Sequence, residues 1–201
     1  IVKALKARLA LLAASPAFNA NSDVTLWESA AANTADILNT LNGTAGLDSK
    51  GHIFYQKAQV DNAILTSGDF KDLPEIVWRR PYYDDRVRET NNFPPSLYGN
   101  GRINPTQNLV DAFPMANGYP ISDPKSLYDP TKPYTGRDPR LALYVVYNGS
   151  PMKSTTIKTE TGGGIDAVDA QQTSTRTGYY MRKMLREETN VNPASAKNQR
   201  H

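Results

Sequence analysis

The chain changes character near residue 69, and this change limits its fold more than any other feature. Before that point, apolar residues recur at the three- and four-residue spacing of an amphipathic helix. After it, prolines and glycines break up the apolar pattern, as in long ordered loops. We therefore predict that residues 1–201 form one mainly α-helical fragment of a larger domain. Its helical scaffold part is 1–68, and its loop-rich part, with a short helix and β-hairpins, is 69–201.

Two amphipathic helices are predicted in the first part. One begins at the first residue and ends near Ser15-Pro16, because proline disfavours helix in the residue before it. The other runs from Ser22 or Asp23 to Leu41. The predicted apolar faces are Val2, Leu5, Leu9 and Leu12 on the first helix and Trp27, Ala31, Thr34, Leu38 and Leu41 on the second.

Small residues indicate how these helices pack. The alanines Ala4, Ala7, Ala10, Ala30 and Ala31 permit a close approach, and the short polar connection predicts an antiparallel helix hairpin. Such a hairpin is typical of one unit of a helical-repeat array, although no second copy recurs at a fixed period. Tyr55–Leu65 is a third, weaker helix candidate.

A short helix followed by a hairpin is predicted at Asn104–Ile121. Asn104 suits the N-cap and Pro105 the first helical position, while Leu109, Val110 and Phe113 give an apolar side. Asn117-Gly118 between apolar residues is a strong hairpin signal.

The segment RDPRLALYVVYNG predicts a strand. Leu141, Leu143, Val145 and Tyr147 alternate with the residues between them, and Asn148-Gly149 ends the run. The glycine-rich TGGGID reads as a flexible connector, and the polar tail NVNPASAKNQRH as frayed or truncated.

Composition and motifs argue against several functions. The chain has no cysteine, so it has neither a disulfide nor a thiolate metal site. The net charge of +3 is spread among interspersed acids and bases, which gives little support for nucleic-acid binding. Apolar runs are too short for a membrane helix, and no signal peptide is visible.

Cofactor and metal motifs are also missing from the sequence. TGGGID lacks the Lys-Ser/Thr of a phosphate loop. His52 and His201 have no cluster around them, and the spacing of Asp166 and Asp169 matches no EF-hand, so a Ca²⁺ site stays open but unsupported. We predict no cofactor, no metal and no catalytic residue.

Four strings together resemble the central part of the SusD/RagB family. They are KALKARLALLAASPAFN, PTQNLVDAFPMANG, YDP with PYTGRDPRLALYVVYNG, and TRTGYYMRKM, in this order along nearly the whole chain. The family consists of surface glycan-binding lipoproteins of Bacteroidetes. The resemblance implies a tetratricopeptide-like helical scaffold with long irregular loops and a few short β-hairpins.

The resemblance also implies a function. Family members capture oligosaccharides or polysaccharides without catalysis and pass them to a TonB-dependent outer-membrane transporter. They lie on the extracellular face of the cell outer membrane, held by a lipid anchor that is absent from this chain. The sequence does not indicate which glycan is bound.

The strongest candidate site is VWRRPYYDD. Glycan sites combine flat aromatic rings with groups that hydrogen-bond hydroxyls. Phe93 and Tyr98 in the following loop are further candidates. The predicted glycan-contacting residues are Trp78, Arg79, Arg80, Tyr82, Tyr83, Phe93 and Tyr98. For any one of the aromatic residues, the alternative is an anchor in the core. Gln107 and Asp111 are predicted to support local structure.

Three alternatives remain at this stage. The arginines Arg79, Arg80, Arg86 and Arg88 among aromatics would suit single-stranded nucleic acid, although Asp84, Asp85 and Glu89 cancel much of their charge. A glycoside hydrolase would pair Asp84 or Asp85 with Glu89 or Asp111. The third alternative is a purely structural or interaction fragment.

Overall fold

A computed structural model describes residues 1–40 and 84–200 of the chain. The chain divides into two compact units, residues 1–81 and 82–201. In the described part of the first unit lie α1 (Val2–Ala14) and α2 (Val24–Thr40). The predicted boundary at 68/69 and the helix candidate Tyr55–Leu65 lie outside the described residues. None of the described helices combines the length and the apolarity needed to cross a membrane.

The helices α1 and α2 form the predicted antiparallel hairpin. Lys3, near the start of α1, places its Nζ 2.9 Å from Oδ1 of Asp36 and 3.1 Å from Oγ1 of Thr40, near the end of α2. The start of one helix therefore lies beside the end of the other.

Alanines make the contact between the two helices. Ala7 and Ala30 are buried, as the small-residue pattern predicts. The apolar faces, in contrast, were predicted at the wrong positions: Val2 and Leu9 are 81% and 61% exposed, and Trp27 is 45% exposed. The physical reason is steric, because alanine lets two helices approach more closely than leucine does. Leu5 and Leu12 of the predicted α1 face, and Ala31 and Thr34 of the α2 face, are exposed as well, Leu38 is partly buried, and Leu41 lies outside the described residues.

Asn19 fixes the turn between α1 and α2. Its side chain is buried, its Oδ1 accepts from the backbone N–H of Asp23 at 2.7 Å, and its Nδ2 donates to the carbonyl of Asp23 at 3.0 Å. Asp23 in turn accepts from the backbone N–H of Thr25 at 2.9 Å and so caps α2. The hydroxyl and backbone N–H of Thr25 lower the pKa of Asp23.

The second unit consists of short elements joined by long turns. Its described helices are α3 (Val87–Asn92), α4 (Gln107–Ala112) and α5 (Pro139–Tyr144), with 3₁₀ turns at Pro95–Leu97 and Pro124–Ser126. Its described strands are β1 (Asp84–Asp85), β2 (Val145–Val146), β3 (Pro151–Met152), β4 (Thr155–Thr156), β5 (Tyr180–Met181) and β6 (Gln199–Arg200). These strands pair antiparallel as β1 with β6, β2 with β5, and β3 with β4.

Two apolar clusters form the core of this unit. The first contains Phe93, Val146, Met152, Ile157, Tyr180, Leu185 and Val191. The second contains Val110, Leu141, Val145 and Tyr179, with Phe113, Tyr134, Tyr144 and Tyr147 packed against it. Adjacent strand residues supply both clusters: Val145 and Val146 point to different ones, as the alternation of a strand requires. The pairing of β2 with β5 therefore ties the two clusters together.

The predicted strand at Leu141–Tyr147 is wrong over its first half. Asp138 accepts from the backbone N–H of Arg140 at 2.8 Å, and Pro139 occupies the first turn, so a helix begins there. Leu141 and Val145, four residues apart, are both buried in the second cluster. The prediction followed the alternation of apolar residues from Leu141 to Tyr147 and missed the helix start that Asp138 and Pro139 indicate.

The Asn104–Ile121 segment forms its helix two residues later than predicted. Thr106, not Asn104, is the N-cap, and its hydroxyl accepts from the backbone N–H of Leu109 at 3.3 Å. Asn104 instead accepts from the backbone N–H of Arg176 and donates to the carbonyl of Gly101. The side chain of Asn104 therefore bonds to Gly101 and to the distant Arg176 and does not cap the helix.

Both Asn-Gly turns are present. The backbone N–H of Gly118 donates to the carbonyl of Met115 at 2.8 Å. The backbone N–H of Met115 donates to the carbonyl of Tyr119 at 2.9 Å. Met115 forms its β-bridge with Arg137, so the first turn joins no strand ladder of its own. Gly149 donates to Ile157 at 2.9 Å beside the β3–β4 hairpin.

The polar tail is ordered rather than frayed up to Arg200. Asn190 and Lys197 form a β-bridge, and β6 then pairs with β1. Asn190 also holds the intervening turn, because its Nδ2 donates to the carbonyl of Ser195 at 2.9 Å. Backbone pairing, together with the burial of Val191 in the first apolar cluster, explains this order.

Candidate functional site

The predicted site residues fall into two groups in the structure. The aromatic-basic segment with Trp78, Arg79, Arg80, Tyr82 and Tyr83 lies outside the described residues. Phe93 and Tyr98 are described, and their surroundings differ.

Phe93 is a core residue, which corrects its prediction as a glycan platform. Its ring has no exposed surface and packs in the first apolar cluster. The ammonium of Lys153 lies 4.9 Å from the ring centroid. Lys153 is partly buried, and this burial lowers its pKa. A ring covered in this way offers no face to a ligand.

Tyr98 remains an exposed aromatic residue. Its side chain is 58% exposed, and its backbone is left-handed with φ of 65° at the end of a 3₁₀ turn. Non-glycine residues rarely adopt this conformation without support from their surroundings. The turn gives that support, because the backbone N–H of Tyr98 donates to the carbonyl of Pro95 at 2.9 Å and that of Gly99 to the carbonyl of Pro94 at 3.2 Å.

A pocket of about 350 Å³ opens at the start of α3. Pockets of this size lie within the range that holds small ligands. The described residues that line it are Asp85, Arg86, Val87, Thr90, Asn91 and Asn198.

The β1–β6 pairing assembles this pocket from the two ends of the second unit. Asp85 lies opposite Gln199, so Arg86 comes beside Asn198. Nη1 of Arg86 donates to Oδ1 of Asn198 at 2.9 Å, across 112 residues of sequence. Thr90 and Asn91 reach the same pocket from one turn further along α3.

The pocket combines the groups that recognise hydroxyls. Asp85 is an acceptor, Arg86 a donor, and Thr90, Asn91 and Asn198 can do both. In the part of the chain that the structure describes, the Thr90 hydroxyl and the Asn91 side-chain amide have no hydrogen-bond partner. Both groups are therefore available to a ligand.

An apolar surface completes the lining. Val87 is 60% exposed and lies among these polar side chains. The backbone N–H of Val87 donates to Oδ1 of Asp85 at 3.2 Å, which orients the carboxylate at the start of α3.

Most of this pocket could not be found from the sequence. Asp85 belongs to the VWRRPYYDD segment, and Arg86 was considered only as a phosphate contact. Thr90 and Asn91 carry no motif, and Asn198 joins them only through long-range strand pairing. A polar residue in a tail gives no sequence signal for such a role.

The residues considered for other functions have structural partners. Arg88 donates to the carbonyl of Met184 at 3.2 Å, and Glu89 is buried and accepts from the backbone N–H of Arg186 at 2.9 Å. Asp111 accepts from Nε2 of Gln107 at 2.8 Å, in a different place from the pocket. Gln107 accepts from the Tyr179 hydroxyl at 2.7 Å, consistent with the local structural role expected of it.

The two aspartates considered for Ca²⁺ also hold local structure. Asp166 accepts from the backbone N–H of Ser96 at 2.8 Å, and Asp169 pairs with Arg176 at 2.5 Å. Among the described residues, no three His, Asp or Glu side chains converge as a metal site would require.

The solved structures similar to this chain include two proteins of Bacteroides fragilis NCTC 9343. A SusD-like protein is 24% identical with a TM-score of 0.50, and the match covers 72% of this chain and 31% of that one. A SusD-like carbohydrate-binding protein is 25% identical with a TM-score of 0.46, covering 59% and 25%. The chain thus spans less than a third of the length of these relatives. No curated protein matches the chain.

The helical fold with loops and short strands is the one that the sequence predicted, and the first of these relatives shares it. The SusD family model matches residues 74–201, which include every pocket residue. On this match, the chain belongs to the SusD family.

Proposed function

We propose that this chain binds oligosaccharides without catalysis, through the pocket formed by Asp85, Arg86, Val87, Thr90, Asn91 and Asn198. The observation that carries the proposal is that, among the residues the structure describes, the Thr90 hydroxyl and the Asn91 amide have no hydrogen-bond partner and lie beside the exposed side chain of Val87. Sugars present both hydroxyls and C–H surfaces, so they match both halves of this lining. One of the relatives is itself described as a carbohydrate-binding protein.

The aromatic segment supports the same proposal from the sequence. Tyr82 and Tyr83 precede Asp85 by three and two residues, and Trp78 by seven. Stacking of an aromatic ring on a sugar face would add to the polar contacts of the pocket. Tyr98 is the described aromatic residue that we propose as a further contact.

The carboxylates favour binding over hydrolysis. A glycosidase needs two carboxyl groups on either side of the scissile bond. Asp85 is the one carboxylate among the described residues that line the pocket. Glu89 is buried against Arg186, and Asp111 lies with Gln107. We therefore propose that the bound glycan leaves intact.

The family membership suggests where the glycan goes. We propose display at the extracellular face of the outer membrane of a member of the Bacteroidetes, through a lipid anchor, and delivery to a TonB-dependent transporter. A test is co-purification of the full-length gene product with such a transporter from membranes. Recovery without any transporter would argue against delivery while leaving glycan binding intact.

Affinity electrophoresis of the full-length gene product tests the binding function. Gels containing single polysaccharides should retard the protein for at least one glycan, with no release of reducing ends on incubation. Release of reducing ends would favour the hydrolase, and no retardation by any glycan would leave a structural role.

Matched asparagine variants then test the pocket. Asn91→Ala removes an available amide in the pocket, and Asn39→Ala removes an exposed amide on α2. Loss of one hydrogen-bonding group should weaken binding by roughly tenfold, or about 1.4 kcal/mol. Asn39→Ala should leave affinity unchanged, and equal affinities of the two variants would reject this pocket.

Trp78→Ala tests the aromatic contribution in the same way. We expect weaker glycan binding by the folded variant, because a stacking surface is lost. Unchanged affinity, or loss of folding, would reject that role for Trp78.

A further inference from the structure

Three asparagine-glycine pairs lie in the described part of the chain, at Asn100-Gly101, Asn117-Gly118 and Asn148-Gly149. In such a pair the glycine nitrogen can attack Cγ of the asparagine, because glycine has no Cβ to hinder the approach. A bond forms between this nitrogen and Cγ, the Cγ–Nδ2 bond breaks, and ammonia leaves with the glycine N–H proton. Water then opens the resulting succinimide ring to aspartate or isoaspartate.

The asparagine side chain decides which pair reacts. Its oxygen must carry negative charge in the tetrahedral intermediate, and its Nδ2 must leave as ammonia. The glycine N–H does not distinguish the pairs, because each donates to a backbone carbonyl, at 3.1, 2.8 and 2.9 Å for Gly101, Gly118 and Gly149. The differences therefore lie in how the fold holds each amide and how open each glycine is.

The fold protects the first two pairs. Gly101 is buried, and a Cβ built on it would lie 2.8 Å from the Tyr180 ring, so a succinimide has no room there. Asn117 is exposed, but its Nδ2 donates to the carbonyls of Lys125 at 3.1 Å and Ser126 at 3.3 Å. Those two hydrogen bonds hold the nitrogen that has to leave.

Asn148 is held by its oxygen instead. It is exposed, and its Oδ1 accepts from the backbone N–H groups of Thr159 at 2.9 Å and Glu160 at 3.4 Å. Donors directed at an oxygen on which charge develops stabilise the charged intermediate. Within residues 84–200, Nδ2 of Asn148 has no hydrogen-bond partner, and a Cβ built on Gly149 would meet nothing within 4 Å.

We propose that Asn148-Gly149 is a site of spontaneous deamidation in the folded protein, whereas the fold keeps Asn100 and Asn117 as amides. The product also fits this place better. A carboxylate accepts hydrogen bonds but donates none, so at position 148 it keeps both bonds from the backbone. At position 117 it would lose both bonds to the carbonyls.

Peptide mapping by mass spectrometry of the full-length gene product tests the site. Folded and urea-unfolded samples are incubated at mildly alkaline pH and digested at acidic pH, and amide loss and isoaspartate are measured at each pair. In the folded protein, Asn148 should lose its amide at least about tenfold faster than Asn117, because two hydrogen bonds retain the leaving group of Asn117. In urea the rates should converge, because the fold no longer distinguishes the pairs.

Two variants test how the fold accepts the product. Asn148→Asp should keep the urea midpoint of unfolding, and Asn117→Asp should lower it, because only the second loses donated bonds. A lower midpoint for Asn148→Asp alone would overturn this part of the account. Equal rates at Asn117 and Asn148 in the folded protein, or no loss at Asn148 while the unfolded chain reacts, would overturn the proposed site.

Discussion

The helix hairpin of the first unit and the loop-rich second unit are stabilised in different ways. The hairpin relies on backbone helices, buried alanines and one asparagine in the turn. In the second unit, buried polar side chains hold carbonyls and turns that short elements leave unpaired. Arg137 is the clearest case, because its guanidinium donates to the carbonyls of Val110 at 2.6 Å, Phe113 at 2.7 Å and Pro133 at 2.9 Å.

This difference follows from the lengths of the elements. A long helix satisfies most of its own N–H and C=O groups, whereas a six-residue helix leaves most of them to other partners. Two carbonyls bound by Arg137 lie at the end of α4. Buried polar groups that lose their partners are costly, so single side chains should matter more in the second unit.

The largest expected effect comes from Arg137→Met. It removes three hydrogen bonds to carbonyls, and we expect the free energy of unfolding to fall by about 3 kcal/mol or more. Urea unfolding followed by circular dichroism measures this change. The matched control Arg140→Met deletes a surface arginine paired with Asp138 and should cost at most about 1 kcal/mol. Equal costs would remove the distinction between the units.

Tyr180→Phe should have the next largest effect. The Tyr180 hydroxyl is buried, donates to the carbonyl of Asp166 at 2.9 Å and accepts from the backbone N–H of Thr175 at 3.0 Å. Its loss leaves both groups without that partner, at a cost of roughly 1–3 kcal/mol in urea unfolding. The exposed Tyr98→Phe is the control and should be neutral.

Tyr180 should also give the protein a defined alkaline sensitivity. Burial raises the pKa of Tyr180 to about 12, above its usual value of 10.0. The folded state therefore keeps a proton that the unfolded state loses, and stability should fall as pH rises from 10.0 to about 12. Burial and the Tyr179 hydroxyl also raise the pKa of Tyr134, so Tyr180→Phe should reduce this slope without abolishing it. An unchanged slope in the variant would contradict this assignment.

Asn19→Ala probes the hairpin and should cost less than Arg137→Met. It removes the reciprocal bonds to the backbone of Asp23, which we expect to lower the free energy of unfolding of this unit by about 1–2 kcal/mol. Hydrogen exchange of residues 2–40 would report the change locally. Faster exchange confined to the second unit would show that the turn is not what holds the hairpin.

The smallest effect is expected for Lys3→Ala. The ion pair with Asp36 is exposed on both sides, at 55% and 56%, so its loss should cost at most about 1 kcal/mol. Salt should diminish even that difference. A larger, salt-sensitive loss in thermal unfolding would mean that charge pairs contribute to the hairpin as much as its alanines do.

The sequence predicted the hairpin better than the loop-rich unit for the same physical reason. Helix periodicity and the Ser15-Pro16 stop are local, and they placed α1 and α2 well. The cap at Asn104 was wrong because a residue distant in sequence, Arg176, binds its side chain. The first half of the strand at Leu141–Tyr147 was wrong because the Asp138 cap and Pro139 start a helix there.

The site shows the same limit. An aromatic-basic segment before Asp85 is visible in the sequence, whereas the neighbour of Arg86, Asn198, is set by β1–β6 pairing. Phe93 was misassigned because an aromatic residue in a loop has the same local appearance whether it is a ligand platform or a core residue. Its burial depends on packing with residues such as Tyr180.

Hydrogen exchange with and without a retained glycan tests the central claim most directly. We predict slower backbone exchange in residues 85–91 and around Asn198 when the glycan is bound, with the α1–α2 hairpin unchanged. Glycan binding that leaves exchange at residues 85–91 and 198 unaltered would contradict the assignment of the pocket as the binding site.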